Sequence, residues 1–191
     1  MYHKFRKISL SLLVLILPWP ALAMTGDREQ PIRIEADRVD IDDKKGASVY
    51  QGNVRMTQGS IVLTADTVTV YTVIEKQVVN GKETKRRELQ KIVAEGKQAN
   101  YRQLLDSLST KTGKNEELKA RADRIDYFAA EERVVLQGGG YLWKEGDEFT
   151  GNVIEYDARD ETVKAAKAQT GPERVQAVIQ PRRKDNESKA P

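Results

Sequence analysis

From Pro31 onward, apolar and polar residues alternate. Ile32, Ile34 and Ala36 fall on one side of the pattern, and Arg33 and Glu35 on the other. A period of two predicts a half-buried strand. At Ala36-Asp37 the phase slips by one residue, and Val39 and Ile41 carry the pattern on. The same event recurs. Ile61, Leu63 and Ala65 give way to Asp66, then Val68 and Val70. Leu118, Ala120 and Ala122 give way to Asp123, then Ile125 and Tyr127. Phe149 and Gly151 give way to Asn152, then Ile154 and Tyr156. A slip at a small residue followed by Asp or Asn predicts a bulge that turns a strand around a corner.

The spacing of these events is regular. Ala36 and Ala65 are 29 residues apart, as are Ala122 and Gly151, and residues 32–70 overlay 118–156 at an offset of 86 without a gap. The identities at that offset are Ala36/Ala122, Asp37/Asp123, Arg38/Arg124, Asp40/Asp126, Val49/Val135, Gln51/Gln137, Gly52/Gly138 and Thr64/Thr150. Ile32/Leu118, Val39/Ile125, Met56/Leu142 and Val68/Ile154 keep their character. A weaker copy lies at Val93 to Tyr101. Units of about 29 residues, each a pair of strands, read as a stacked or rolled β architecture in which neighbours bury one continuous core.

Turns are predicted at Asp42–Gly46, Gln58–Gly59, Ala129–Glu132 and Lys144–Asp147, with Asn80-Gly81 as a hairpin turn inside the charged segment Lys76–Glu88. Gly52-Asn53 and Gly138-Gly139-Gly140 lie inside strand patterns, where glycine marks a bulge or a close approach. Asp106–Glu117 reads as a loop, and Glu88–Glu95 as the one place for a helical turn. Thr170–Pro172 ends the repeats. A last strand is expected at Arg174–Gln180, with Val175, Ala177 and Ile179 on one face.

Before the repeats, residues 1–23 carry His3, Lys4, Arg6 and Lys7, an apolar run from Ile8 to Leu17, and Ala21-Leu22-Ala23. That is the layout of a secretory signal peptide cleaved after Ala23, too short to span a membrane. The expected organisation is a signal at 1–23, a β domain at 24–181 and a disordered tail at 182–191. The 191 residues are 39% hydrophobic, 32% charged and 6% aromatic, which is one domain's length. The 32 basic and 29 acidic residues give +3, but the signal holds three of the bases and no acid, so the mature chain is neutral. Bulk charge therefore argues against nucleic acid. Cysteine is absent and the single histidine, His3, lies in the signal. Thiol nucleophiles, histidine bases and Cys/His metal sites are excluded. No cofactor or metal and no catalytic residue is expected.

The inward positions mix aliphatics with small residues, among them Ala36, Gly52, Ala65, Ala99, Ala122, Gly138 and Gly140. Two readings follow: a taper filled by its own side chains, or a trough that accepts an apolar guest. Carboxylate-pair chemistry would draw on Asp37, Asp40, Asp42, Asp43, Asp123 and Asp126, but their recurrence at bends and turns favours a structural role. A sugar-binding module would use Trp143 and Tyr141, a small stacking surface.

Thr25-Gly26-Asp27-Arg28-Glu29-Gln30-Pro31-Ile32, Ile34-Glu35-Ala36-Asp37, Tyr50-Gln51-Gly52-Asn53-Val54, Thr57-Gln58-Gly59-Ser60-Ile61, Leu63-Thr64-Ala65-Asp66-Thr67-Val68 and Val134-Val135-Leu136-Gln137-Gly138 occur in that order behind the signal. The series resembles the OstA-like/LptA family of periplasmic lipopolysaccharide-transport bridge proteins over nearly all of the mature chain. It departs in the charged Lys76–Glu88 insert and in the triple glycine. The resemblance implies an all-β fold, an open, twisted β-jellyroll of antiparallel strand pairs. It implies a periplasmic protein that holds the lipid A acyl chains of lipopolysaccharide inside the roll. It also implies head-to-tail docking with other copies, with LptC at the inner membrane and with LptD at the outer membrane. On that reading the inward phase supplies the lipid-contacting residues Ile32, Ile34, Tyr50, Val54, Leu63, Val68, Tyr101, Ile125, Tyr127, Leu136, Leu142 and Phe149. The docking edges are Ile32, Ile34 and Ala36 at one end and Val175, Ala177 and Ile179 at the other.

Overall fold

The computed structural model describes residues 26–79, 81–105, 116–169 and 174–181. The signal segment, the tail, Thr170–Pro172 and most of the 106–117 loop lie outside the described residues. The described chain is almost entirely strand: β1 Arg33–Glu35, β2 Arg38–Asp42, β3 Ala47–Gln58, β4 Ile61–Val79, β5 Lys82–Leu105, β6 Glu116–Phe128, β7 Arg133–Lys144, β8 Asp147–Asp157, β9 Thr162–Ala166 and β10 Gln176–Val178. A single 3₁₀ turn, Asp27–Glu29, precedes them.

All pairings are antiparallel, and the sheet runs β1-β3-β4-β5-β6-β7-β8-β10, open at both ends. Its two borders are each made of two short strands. β1 pairs with Arg55–Thr57 of β3 and β2 with Ala47–Gln51. β10 pairs with Glu148–Thr150 of β8 and β9 with Val153–Asp157. Every ladder between them changes register at one height: Gln51/Val54, Thr64/Thr67, Glu95/Ala99, Arg121/Arg124 and Gln137/Gly140. These are the predicted corners. The line of bulges folds the sheet into two half-sheets, and among the described residues no ladder pairs one half with the other. β3 and β7 have the same bounds at the offset of 86, and β4 and β8 start in step, so the sequence repeat is a structural one.

The corners have a recurring chemistry. Asp37, Asp66 and Asp123 each lie against a glycine of the next long strand, respectively Gly52, Gly96 and Gly138. A Cβ on Gly138 would come within 2.7 Å of Asp123 Oδ2, and one on Gly96 within 2.7 Å of Asp66 Oδ2. The Asp37 amide donates to the Gly52 carbonyl at 3.1 Å, and Asn53 Nδ2 donates to Asp37 Oδ2 at 3.0 Å. Gly52 and Gly138 have φ of 81° and 78°, which glycine adopts without the steric penalty of a Cβ.

The structure changes several expectations. Glu88–Glu95 is strand, because both its neighbours offer ladder partners: Lys91 to Glu95 pairs with β4 and with β6. The last strand is confined to Gln176–Val178 and is exposed throughout. β9 was hidden in the polar stretch after Tyr156. Glu116 and Glu117 belong to β6 rather than to a loop. The charged Lys76–Glu88 segment is no interruption: Val79 pairs with Lys82, and β4 and β5 stay paired from Thr72 to Leu89, beyond the reach of β3 and β6. This two-stranded ribbon exposes Ile74 and Val78 (58% and 72%).

The corner geometry makes a graded prediction. Gly138→Ala places a Cβ both at positive φ and against Asp123, whereas Gly139 (φ 63°) faces open space. Gly139→Ala should cost about 1–2 kcal/mol of strain. Gly138→Ala should cost more in urea unfolding and be partly rescued by Asp123→Ala. Equal losses for the two glycines would show that the carboxylate does not pack on the corner.

Candidate functional site: the inward face

Cross-strand partners share a face of the sheet, so the register traces what lines the interior. In one half-sheet a row runs Ile34, Met56, Leu63, Tyr101, Ala120, Leu142, Phe149, Ala177, from β1 to β10. In the other it runs Val39, Tyr50, Val68, Ala94, Ile125, Leu136, Ile154, Ala165, from β2 to β9. Neither row contains a charged residue. With strands about 4.8 Å apart, each is about 34 Å long. The one-residue slip at the corner lets both rows point to the same side: Leu118, Ala120 and Ala122 are buried before it in β6, and Ile125 and Tyr127 after it.

The rows form one cluster. Met56, Leu63, Val68, Ile92, Leu118, Ile125, Leu142 and Ile154 are fully buried. The rings of Tyr101 and Tyr127, from opposite halves, meet at 6.2 Å. Fully burying an aliphatic side chain contributes about 1.5–3 kcal/mol, so the middle of the roll is a packed core. The ends are different. At the β1/β2 border Val39 and Ile41 are 48% and 60% exposed, beside half-buried Ile32 and Ile34. At the β9/β10 border Val175 and Ile179 are 39% and 60% exposed. The inward face is thus covered in the centre and accessible at both borders.

Of the residues expected to meet lipid, Val54, Leu63, Val68, Tyr101, Ile125, Tyr127, Leu136 and Leu142 are buried in this cluster. Ile32, Ile34, Tyr50 and Phe149 are half-buried against it. Of the expected docking residues, Ile34 and Ala177 lie within border strands, and Ile32, Ala36, Val175 and Ile179 flank them. Sequence reasoning left out Met56, Ile92, Ile154 and Tyr156, although the same period of two marks them. It also missed Val163 and Ala165, which lie on the unforeseen β9.

Several polar groups near this face have partners. Asp27 folds over the rim. Its carboxylate accepts from the Ser60 amide (2.6 Å), the Ser60 hydroxyl (2.7 Å) and Gln103 Nε2 (3.1 Å). Gln103 Oε1 in turn accepts from the Tyr101 hydroxyl at 2.8 Å. Burial pushes the Tyr101 phenol well above its ordinary range and the Tyr156 phenol up to about 12, so both stay neutral at neutral pH. The aspartates weighed as catalysts have structural partners. Asp37 and Asp123 sit at corners. Asp40 pairs with Arg38 at 2.9 Å and Asp43 with Arg87 at 2.9 Å. Asp42 accepts from the Lys44 and Lys45 amides, and Asp126 meets Arg124 and Gln137. Trp143 and Tyr141 lie on the outer face, and each ring is covered by a cation: Lys119 at 5.0 Å and Arg121 at 4.4 Å. Neither ring is bare for sugar stacking.

Three comparisons bear on this face. The family described as "LptA/(LptD N-terminal domain) LPS transport protein" matches residues 33–162. Among individual proteins, the chain is 39% identical to the lipopolysaccharide export system protein LptH of Pseudomonas aeruginosa, over 86% of this chain and 87% of that one. It is 32% identical to the lipopolysaccharide export system protein LptA of Escherichia coli K12, over 86% and 82%. The crystal structure of the Pseudomonas aeruginosa LptH, a periplasmic component of its lipopolysaccharide transport device, superposes with a TM-score of 0.64 at 36% identity, covering 82% of this chain and all of that one.

Removing the Asp27 carboxylate leaves the Ser60 and Gln103 donors at the rim without it. Asp27→Ala should lower stability by about 1–3 kcal/mol and speed amide exchange at Ser60 and Leu104. Leu104 belongs here because its amide donates to Ser60 Oγ. Unchanged exchange at both would mean the rim holds without this segment.

Proposed function

The chain belongs to the LptA/(LptD N-terminal domain) family of LPS transport proteins, and from that premise we propose that it carries lipopolysaccharide with the lipid A acyl chains lodged between its two half-sheets. It is a periplasmic transport protein and not an enzyme, in keeping with relatives that are lipopolysaccharide export proteins. The observation that carries the finer reading is the pair of uncharged rows reaching both open borders. Exposing an acyl chain to water costs about 0.8 kcal/mol per CH₂, so a chain of a dozen carbons resists transfer by roughly 10 kcal/mol. A continuous apolar face removes most of that barrier without chemistry.

The fold supports such lodging mechanically. Among the described residues the backbone joins the half-sheets through the corners, and side-chain packing does the rest. Parting them breaks dispersion contacts, which the guest's own chains replace, and no ladder hydrogen bond. Ile32, Ile34, Tyr50, Val54, Leu63, Val68, Tyr101, Ile125, Tyr127, Leu136, Leu142 and Phe149 are the proposed contacts. Export through cleavage after Ala23 is part of the same proposal.

Assembly would use the borders. β1/β2 and β9/β10 leave unpaired backbone edges, to which another roll can add a strand. We place LptC, LptD and further copies of the chain on these edges, so that the apolar rows continue from one molecule into the next. Repeated head-to-tail contact of this kind does not close and gives filaments at high concentration.

Two outcomes test the reading. Ile34→Asp, at the border, should fold normally yet lose most lipopolysaccharide binding. Photocrosslinkers at Ile34 and Tyr127 should label the lipid while one at outward-facing Arg38 does not. A folded Ile34→Asp variant with wild-type binding would refute acyl lodging at that border. For docking, Ala177→Pro removes an edge donor. It should weaken self-association in sedimentation at least about ten-fold while lipid binding holds. Parallel loss of both would end the separation of edge from interior.

A further inference from the structure

The outer face of the first half-sheet bears a basic well. Asn100 stands opposite Arg121, and Arg102 opposite Lys119, on adjacent positions of β5 and β6, with Tyr141 next to Arg121 on β7. Together with the backbone at Tyr101 and Ala120 they line a cavity of about 290 Å³. Like charges directly opposite on neighbouring strands destabilise a sheet, so the Arg102–Lys119 pair stands against its own repulsion. Glu117 bridges it in part, at 2.9 Å from Arg102 and 2.6 Å from Lys119. Lys119 donates to that carboxyl and holds it below its ordinary range. Arg121 has no such partner: among the described residues it makes no ion pair. It is held by its ring contact with Tyr141, 4.4 Å from guanidinium carbon to centroid. Glu148 lies by the Tyr141 hydroxyl, at the far end of that ring.

Three cations against Glu117 and, at the edge, Glu148 leave the well with a net positive charge in a mature chain that is neutral overall. A guanidinium held over an aromatic ring still has N–H groups to offer a planar or tetrahedral anion. The covered ring disfavours a bare sugar, whereas the charge favours a phosphate ester. We infer that this well binds a phosphate group of a phosphorylated saccharide, with Arg121 as the principal ligand and Arg102 and Lys119 assisting. The inference rests on the transport reading for the source of that group, namely the headgroup of a cargo whose acyl chains lie inside. The phosphate chemistry itself does not depend on it.

The test uses the mature protein, Arg121→Gln, Arg121→Lys and three probes: bisphosphorylated lipid A, its enzymatically dephosphorylated form, and glucosamine 1-phosphate, which has no acyl chain. Arg121 is exposed, so the variants should keep the wild-type unfolding temperature. Wild type should bind the phosphorylated lipid about ten-fold tighter than the dephosphorylated one, the scale of a charge-assisted contact. Arg121→Gln should abolish that preference while leaving the dephosphorylated lipid's affinity unchanged, and Arg121→Lys should restore part of it. Glucosamine 1-phosphate should show ³¹P line broadening with wild type that disappears with Arg121→Gln. Loss of broadening with retained lipid preference would assign the well to free phosphate esters rather than to the cargo. Persistent broadening with Arg121→Gln, or none with wild type, overturns the proposal. If wild type bound neither lipid, the transport reading would fail, and the acyl-free probe would still decide the phosphate site.

Discussion

Keeping one face of a sheet apolar while every strand bends is the constraint on which this structure depends. A strand must turn its corner so that the aliphatic residues before and after it stay on one side, since a register error of one residue would send them to solvent. Here β4, β5, β6 and β8 slip by one residue at the bend, β3 and β7 keep their phase through Gly52 and Gly138 at positive φ, and at three corners an aspartate packs onto a glycine of the next long strand. The corner is polar and the rows on either side of it are not. Remove these corners, and neither the packed centre nor the accessible ends would exist.

Much of this was legible in the chain. The period of two, the slips at Ala36-Asp37, Ala65-Asp66 and Ala122-Asp123, and the offset of 86 residues foretold the strands, the corners and the internal duplication. Local patterns failed where pairing partners decide the outcome. Glu88–Glu95 has the composition of a helical turn, and only ladders on both sides make it strand. Thr162–Ala166 is too polar to announce a strand, yet the free side of β8 recruits it. The charged Lys76–Glu88 segment looked like an interruption because its periodicity is masked by exposure on both faces. The interior positions were found because burial imposes alternation. The basic well was not, since outward positions of a sheet carry no period that separates a binding surface from a merely solvated one. Its residues become neighbours only through the β5–β6–β7 register.

The two surfaces of the sheet divide the physical work. The inner one is uncharged and continuous, and on the proposed reading its affinity for acyl chains follows from area rather than from any single contact. The outer one is charged, locally paired and discontinuous, and it can distinguish ligands only where a cation lacks a partner. A lipid with a phosphorylated sugar head and several acyl chains presents both kinds of chemistry, and under the two proposals a protein made of one folded sheet would meet it on two fronts without a second domain.

The divided borders have a consequence for misassembly. Each exposed rim offers not one straight hydrogen-bonding row but two short ones, of three and five residues, set at an angle across the corner. An ordinary extended peptide can satisfy one of them and must leave the other empty. Only a chain that kinks at the matching height can pair with both. The geometry therefore screens visitors by shape, which guards against the indiscriminate stacking that long flat margins invite, while leaving the rim open to molecules that share its bend.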